Sequence, residues 1–156
     1  MTKFCSGCAY WLATTFKSGF CPVAPGTVGS AIAILVLWLV QPIAIGLYVS
    51  IIVISFIIGV WAATEAEKAW GHDAGRINWD EVVGMAITII ALPKSPGVYF
   101  GAFLAFRFFD IVKPFPVNIS QKLPRGWGVM IDDVLAAIYG NFVMQIIVRY
   151  LIKMPI

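Results

Sequence analysis

The sequence predicts an all-α protein: a compact integral-membrane bundle of about four to five hydrophobic helices, preceded by an N-terminal interfacial helix. Hydrophobic residues make up 60% of the 156 residues and charged residues only 12%, whereas soluble domains carry roughly 25% charged residues. The mean hydropathy is +0.89. Apolar runs alternate with short polar stretches, as in proteins with several membrane-embedded helices. We therefore expect one membrane-embedded domain over residues 1–156.

The first 20 residues predict the interfacial helix. Aromatic side chains are spread from Phe4 to Phe20 and are accompanied by Lys3 and Lys17. Helices that combine aromatic and basic side chains in this way lie in the headgroup region of a membrane. We therefore expect residues 1–20 to lie on the membrane surface and not to cross it.

Five apolar runs follow, and each predicts a helix. They cover residues 28–40, 43–63, 82–92, 98–109 and 134–152. Because a helix rises 1.5 Å per residue and the membrane core is about 30 Å thick, a full crossing takes about 20 residues. Only the runs 43–63 and 134–152 reach this length without their flanking residues, and the runs 82–92 and 98–109 are compatible with a re-entrant hairpin.

The distribution of charge predicts the orientation of the chain. If the N-terminus is cytoplasmic and each run crosses once, eight of the 11 Lys and Arg residues face the cytoplasm, as the positive-inside rule requires. All eight acidic residues fall on the same side, although this rule hardly constrains Asp and Glu. The one-sided acids therefore indicate a function. The net charge of +3 is too small to predict binding of nucleic acid, but it suits an anionic membrane surface.

Reversal of successive helices brings three acidic groups to one depth. These groups are Asp80 with Glu81, Asp110, and Asp132 with Asp133. An Asp at a helix N-terminus is commonly a cap, but adjacent carboxylates beside apolar runs repel each other and are costly to desolvate, and a cation relieves both costs. Hard oxygen ligands favour Mg²⁺. The five acids therefore predict a magnesium site, and charge pairing with Arg and Lys is the alternative.

Two further segments predict phosphate binding. Arg107, Asp110 and Lys113 recur every three residues and would share one helix face, from which a guanidinium and an ammonium could contact phosphate oxygens. The alternative is an ion pair between Arg107 and Asp110 beside a lysine that extends to the interface.

The second segment is the stretch APGTVGS, residues 24–30. Gly26 and Gly29 would let backbone N–H groups approach an anion, and Thr27 and Ser30 add hydroxyl groups. An ordinary helix start with Pro25 in its first turn is an equally good interpretation.

His72 and Asp73 precede the first acidic pair and are candidates for orienting or deprotonating a water molecule. The alternative for His72 is an exposed loop histidine without a catalytic role.

A cluster of acids at headgroup depth, with cationic side chains beside it, predicts chemistry on a phosphorylated lipid. The sequence lacks the motifs of phosphatases that form a covalent phosphoenzyme. A histidine phosphatase would need His72 in a Ser-Gly-His context, and a cysteine phosphatase would need an Arg where Thr27 follows Cys21. The Asp-x-Asp motif of an aspartyl-phosphate enzyme is also missing. Direct attack by water, assisted by Mg²⁺, therefore remains.

Four sequence blocks resemble the signature of the phosphatidylglycerophosphatase A family, in order and in spacing, within residues 22–140. They are PVAPGTVGS, HDAGRINWDEVVG, RFFDIVKPFP and GWGVMIDDVLA. The resemblance implies a compact all-helical, multi-pass phosphatase of the bacterial inner membrane that depends on Mg²⁺. It further implies hydrolysis of phosphatidylglycerophosphate to phosphatidylglycerol and phosphate on the cytoplasmic side.

Carried over by position, the same resemblance implies an acidic site with basic and glycine-block residues beside it. The implied residues are Asp80, Glu81, Asp110, Asp132, Asp133, Arg107, Lys113, Thr27 and Ser30. The chain departs from the family pattern at Gly126-Trp127, near Ser120 and at Ala137, so the resemblance says least about the loop 117–128.

Three other functions are weighed against this interpretation. A phosphatase for another phospholipid monoester would use the same residues. A small membrane ion transporter would place acids along the depth of the membrane, whereas the apolar runs contain none. A structural membrane protein would not need four polar blocks at one depth. The sequence predicts no oligomeric state.

Overall fold

The computed structural model describes the backbone of residues 3–40, 43–72 and 74–153, and the side chains of the same ranges from residue 6 onward. Every regular element in these ranges is helical. The α-helices are α1 (Lys3–Ala13), α2 (Pro25–Leu39), α3 (Ile45–Trp70), α4 (Trp79–Thr88), α5 (Pro96–Val112), α6 (Val117–Ser120) and α7 (Gly126–Ile146). A 3-10 turn, Ser18–Phe20, precedes α2, and a π-helical segment, Ile147–Ile152, continues α7. The prediction of an all-α fold is confirmed.

Two of these helices are long and apolar enough to cross a membrane. They are α3, with 26 residues, and Gly126–Ile152, with 27 residues, which match the two runs that the sequence predicts to span. By contrast, α2 has 15 residues, α4 has 10 and α5 has 17. The structure therefore gives two candidate spans, and a bundle of four to five membrane helices is not confirmed.

Helix α7 lies at the centre of the fold, packed against α3, α4, α5 and α6, while α2 packs against α4 and α5. The fully buried Phe106 of α5 lies between α4 and α7. A Cβ atom on Gly84 would come within 2.5 Å of the Phe106 ring, and one on Gly140 within 3.2 Å of its backbone nitrogen. Glycines thus allow α4 and α7 to approach α5 closely, next to the position from which Arg107 extends.

Large apolar side chains cover the outer surface of α3. Ile51, Val53, Ile54 and Ile57 are exposed, each by about half or more of its surface. A continuous apolar surface of this kind is unusual on a soluble protein and marks contact with lipid or a partner. The outer face therefore agrees with association with a membrane.

Three helix boundaries differ from the sequence prediction by seven residues or more. Helix α1 ends at Ala13, because the backbone of residues 15–17 adopts positive φ values. Helix α3 continues to Trp70, through part of the polar stretch 64–81. Helix α7 begins at Gly126, where a Cβ atom would overlap the backbone of Val60 and Thr64 on α3. The first residue of α7 therefore lies in close contact with α3, a contact that only the three-dimensional packing reveals.

Candidate active site

The five predicted acids converge at one end of α4, α5 and α7. Two groups form: Asp80, Glu81 and Asp133, and Asp110, Asp132 and Asp133. Within each group, one carboxylate oxygen per residue lies within 4.8 Å of the others. Asp132 and Asp133 are each only 3% exposed. The structure thus brings together all the residues predicted to bind metal.

The positions of these acids in their helices limit the capping interpretation. Asp80 and Glu81 lie in the first turn of α4, where the helix dipole favours negative charge, but the N-cap position belongs to Asn78. Asp132 and Asp133 lie in the second turn of α7, because this helix begins at Gly126. The expectation that they open their helix is wrong, and a capping role does not explain why two buried carboxylates lie inside it.

Two basic side chains lie among the acids. Arg107 Nη1 is 2.6 Å from Asp110 Oδ2 and 3.6 Å from Glu81 Oε1. Lys113 Nζ is 2.6 Å from Asp132 Oδ2 and 3.9 Å from Asp110 Oδ1. Charge pairing, the alternative to metal binding, therefore occurs. It is incomplete, because two positive charges cannot neutralise five carboxylates.

Burial and the remaining negative charge both raise the pKa values of the α4 acids. Burial, followed by the neighbouring Glu81, raises the pKa of Asp80 well above its usual value. Burial, followed by the charge of Asp133, raises the pKa of Glu81 to about 8. The isolated chain thus disfavours the charged form of both groups, and a bound cation would reverse this preference.

Several carboxylate oxygens of this cluster are buried without a hydrogen-bond partner among the described residues. Asp80 Oδ1, Glu81 Oε2 and Asp133 Oδ2 are buried and have no hydrogen-bond partner among the described residues. Such an atom is costly to bury unless a cation or a proton compensates it. Since the atoms that these residues offer as metal ligands are all hard carboxylate oxygens, the site fits Mg²⁺.

The glycine-containing start of α2 lies directly against the acids. A Cβ atom on Gly26 would overlap Glu81 Oε1 and lie 3.1 Å from Arg107 Nη1, and one on Gly29 would lie 2.8 Å from the side-chain nitrogen of Asn78. The positive end of the α2 dipole therefore lies beside the site, as a phosphate cradle would require. The helix-start interpretation also holds, because Pro25 is the first residue of α2.

The two hydroxyl residues of this segment differ in their surroundings. Ser30 is fully buried, and its Oγ donates a hydrogen bond to the carbonyl oxygen of Gly26 at 2.9 Å. Thr27 is half-buried in the first turn of α2. Ser30 thus stabilises the turn that carries Gly26. Of the two hydroxyl residues, Thr27 is therefore the candidate for contact with a ligand.

His72 lies in a different polar environment. Its Nδ1 atom is 2.6 Å from Glu67 Oε1 and its Nε2 atom is 3.2 Å from the carbonyl oxygen of Gln121. It lines a pocket of about 500 Å³ together with residues that include Lys68 and Arg125, and neither acidic group contains it. Asp73, the other predicted candidate, lies outside the described residues.

Asn78 is a positioning residue that the sequence analysis missed. It is fully buried, and its Nδ2 donates to Ser18 Oγ at 2.9 Å and to the carbonyl oxygen of Pro25 at 3.2 Å. Its backbone N–H donates to the carbonyl oxygen of Ala13 at 2.8 Å. Asn78 therefore holds the start of α2 against the first turn of α4. The sequence signal that could have identified this residue is an Asn placed just before a helix that begins with acidic residues.

Replacing Asn78 with Ala is expected to lower the free energy of unfolding by about 1–3 kcal/mol, because the Pro25 carbonyl and the Ser18 hydroxyl lose a buried donor. Thermal unfolding in detergent measures the effect. Asn118→Ala is the matched control, since Asn118 is exposed and its replacement should stay within about 0.5 kcal/mol. Equal unfolding temperatures for the two variants would contradict this role for Asn78.

Comparison with known proteins assigns the chain to a family. The sequence model described as Phosphatidylglycerophosphatase A matches residues 11–148. The chain belongs to this family. Two relatives named Phosphatidylglycerophosphatase A are 42% identical over 137 residues, in Haemophilus influenzae, and 37% identical over 139 residues, in Escherichia coli K12. The matches cover 85% and 87% of this chain, and 84% and 81% of the relatives.

A third relative, from Bacteroides thetaiotaomicron, is 38% identical over 149 residues, which are 90% of this chain and 93% of the relative. Its name proposes a phosphatidylinositol-3-phosphatase. No solved structure shows a significant match. Membership of the phosphatidylglycerophosphatase A family confirms the sequence resemblance and makes the protein a phosphatase.

Proposed function

We propose that the protein hydrolyses phosphatidylglycerophosphate to phosphatidylglycerol and inorganic phosphate, with Mg²⁺ as cofactor. The observation that carries this proposal is the convergence of five acids, four of them buried and Asp110 partly buried, with Arg107 and Lys113 beside the start of α2. The phosphatidylglycerophosphatase A relatives support the choice of substrate.

Mg²⁺ bound at this cluster would neutralise phosphate charge and lower the pKa of the attacking water. Asp80, Glu81 and Asp133 would hold it, because their unpartnered oxygens are buried. Arg107 and the N-terminal turn of α2 would bind phosphate oxygens and orient the phosphoryl group.

In the reaction, a water oxygen bonds to phosphorus while the phosphorus–oxygen bond to the lipid glycerol breaks. The water loses a proton to a base, the leaving alkoxide takes a proton from solvent, and the base then returns its proton to solvent, so that no proton is gained or lost overall. We propose that the water proton is accepted by a carboxylate oxygen that belongs to the cluster but does not itself bind the cation. Since His72 contacts Glu67 and Gln121, we give it no direct part in this step.

The surroundings of the cluster favour a lipid substrate. An apolar cavity of about 270 Å³ lies between α2, α3 and α4, and its lining includes Trp79 and Val83, which flank Asp80 and Glu81 in the same helix. An acyl chain could therefore lie in apolar surroundings while its headgroup reaches the acids. We further propose that the site faces the cytoplasm from the bacterial inner membrane. If each apolar run crosses once, most Lys and Arg residues fall on the side of the acids, as the positive-inside rule expects of the cytoplasmic side.

The test is release of inorganic phosphate by the purified protein from mixed micelles of phosphatidylglycerophosphate, with phosphatidylinositol 3-phosphate in a parallel assay. We expect kcat/KM for phosphatidylglycerophosphate to be higher by about tenfold or more, which corresponds to roughly 1.4 kcal/mol in the transition state. Equal or faster hydrolysis of phosphatidylinositol 3-phosphate would contradict the proposed substrate and favour the activity proposed for the Bacteroides relative.

A further inference from the structure

We infer that the active site holds two divalent cations and that Asp133 bridges them. This inference rests on the proposed function, because it concerns the same acidic cluster. It goes further in giving the number of cations and the residues that hold each one.

The geometry shows two groups of three carboxylates that share one member. Asp80 and Glu81, from α4, complete the first group, and Asp110 of α5 and Asp132 of α7 complete the second. Asp133 belongs to both. A carboxylate has two oxygens with two lone pairs each, so one side chain can contact two cations. Adjacent helix residues point about 100° apart, and therefore Asp132 and Asp133 can face different neighbours.

A second observation points to a ligand at the first group and at Asp133, the member that both groups share. Asp133 Oδ2 is buried and has no hydrogen-bond partner among the described residues. The same holds for Asp80 Oδ1 and Glu81 Oε2 in the first group. All three side chains belong to residues that are more than nine-tenths buried. The described residues offer these atoms no hydrogen-bond donor, and a cation placed between them would compensate their buried charge.

The charge of the site favours two cations over one. Five carboxylates with Arg107 and Lys113 give a formal charge of −3. One divalent cation would leave −1, and a phosphomonoester that carries nearly two negative charges at neutral pH would be repelled. Two divalent cations would give +1, which attracts this substrate. Pairs of metal ions about 3.5–4 Å apart are a known solution to this problem in phosphatases.

The two cations should differ in affinity. In the second group, the ammonium of Lys113 already contacts Asp132 at 2.6 Å, so a cation must compete with it. In the first group, the nearest cationic atom among the described residues is Arg107 Nη1, 3.6 Å from Glu81 Oε1. We therefore assign the tighter site to Asp80, Glu81 and Asp133.

Mn²⁺ provides a test that does not depend on activity, because it accepts the same oxygen ligands as Mg²⁺ and is paramagnetic. The full chain in detergent is titrated with Mn²⁺ alone, by calorimetry for stoichiometry and by electron paramagnetic resonance for coupling between ions. We expect two Mn²⁺ per chain in two steps, with a spin-coupled spectrum after the second step. Asp110→Asn should retain the first step and lose the second, and Asp133→Asn should abolish the coupled spectrum.

Glu65→Gln is the matched control, since Glu65 is a buried acid outside both groups, and it should keep two coupled ions. Far-ultraviolet circular dichroism confirms that each variant is folded. One Mn²⁺ per wild-type chain, or two without coupling, would overturn the inference. If phosphate release from phosphatidylglycerophosphate still requires Mg²⁺, only the second cation is refuted. Two coupled ions without this hydrolysis would instead refute the proposed substrate.

Discussion

Asp133→Asn is expected to reduce phosphate release from phosphatidylglycerophosphate by about a thousandfold or more. Asp133 belongs to both acidic groups and is 3% exposed, so its charge contributes to every cation that the cluster can hold. Metal and electrostatic contributions to phosphoryl transfer amount to several kcal/mol, and each 1.4 kcal/mol is a factor of ten in rate. The substitution preserves the size of the side chain, and removal of one negative charge from a crowded cluster should not unfold the protein.

The measurement is kcat at saturating phosphatidylglycerophosphate with Mg²⁺ in excess. Glu65→Gln serves as the control for loss of a buried acid, because Glu65 pairs with Lys68 outside the cluster. It should keep nearly all activity. If folded Asp133→Asn protein retains more than about a tenth of the wild-type rate, the bound cation contributes less than 1.4 kcal/mol through this residue, and the assignment of Asp133 is wrong.

Gly26→Ala is expected to lower kcat by about a hundredfold. The added Cβ would overlap Glu81 Oε1, so either the carboxylate or the start of α2 must move. A displacement of about 1 Å in a catalytic group can cost about 10²-fold in rate. The helix itself would become more stable, because Ala has a higher helix propensity than Gly by about 1 kcal/mol. A loss of activity therefore cannot be attributed to a weaker helix.

Gly46→Ala is the matched control for this variant. Gly46 also lies in a helix, and no atom lies within 4 Å of a Cβ placed there, so the activity should not change. Comparison of the two variants by kcat and by thermal unfolding separates displacement of Glu81 from a general loss of stability. Activity of Gly26→Ala within about threefold of the wild type would contradict the contact between α2 and the acids.

The sequence predicts the coarse arrangement because it depends on local patterns. The two long apolar runs correspond to α3 and α7, since length alone decides whether a helix can span. The acids converge as expected, because Asp80, Asp110 and Asp133 lie near helix ends that successive reversals bring to one side. The residue types thus predict a common site before any contact is known.

Other features depend on contacts between distant segments and were not predictable. The overlap that a side chain on Gly26 would make with Glu81 requires the packing of α2 against α4. The close approach of Gly126, the first residue of α7, to Val60 requires the packing of α7 against α3. The position of His72 beside Glu67 and Gln121 follows from the extension of α3, which its polar composition did not reveal.

The dependence of catalysis on a divalent cation tests the central claim most directly. Purified protein is assayed for phosphate release from phosphatidylglycerophosphate micelles with Mg²⁺, with excess chelator, and after Mg²⁺ is added back beyond the chelator. We predict release with Mg²⁺, loss of release with chelator, and recovery when Mg²⁺ is restored. An unchanged rate in the presence of the chelator would contradict the assignment of the buried acids as a metal-dependent phosphatase site.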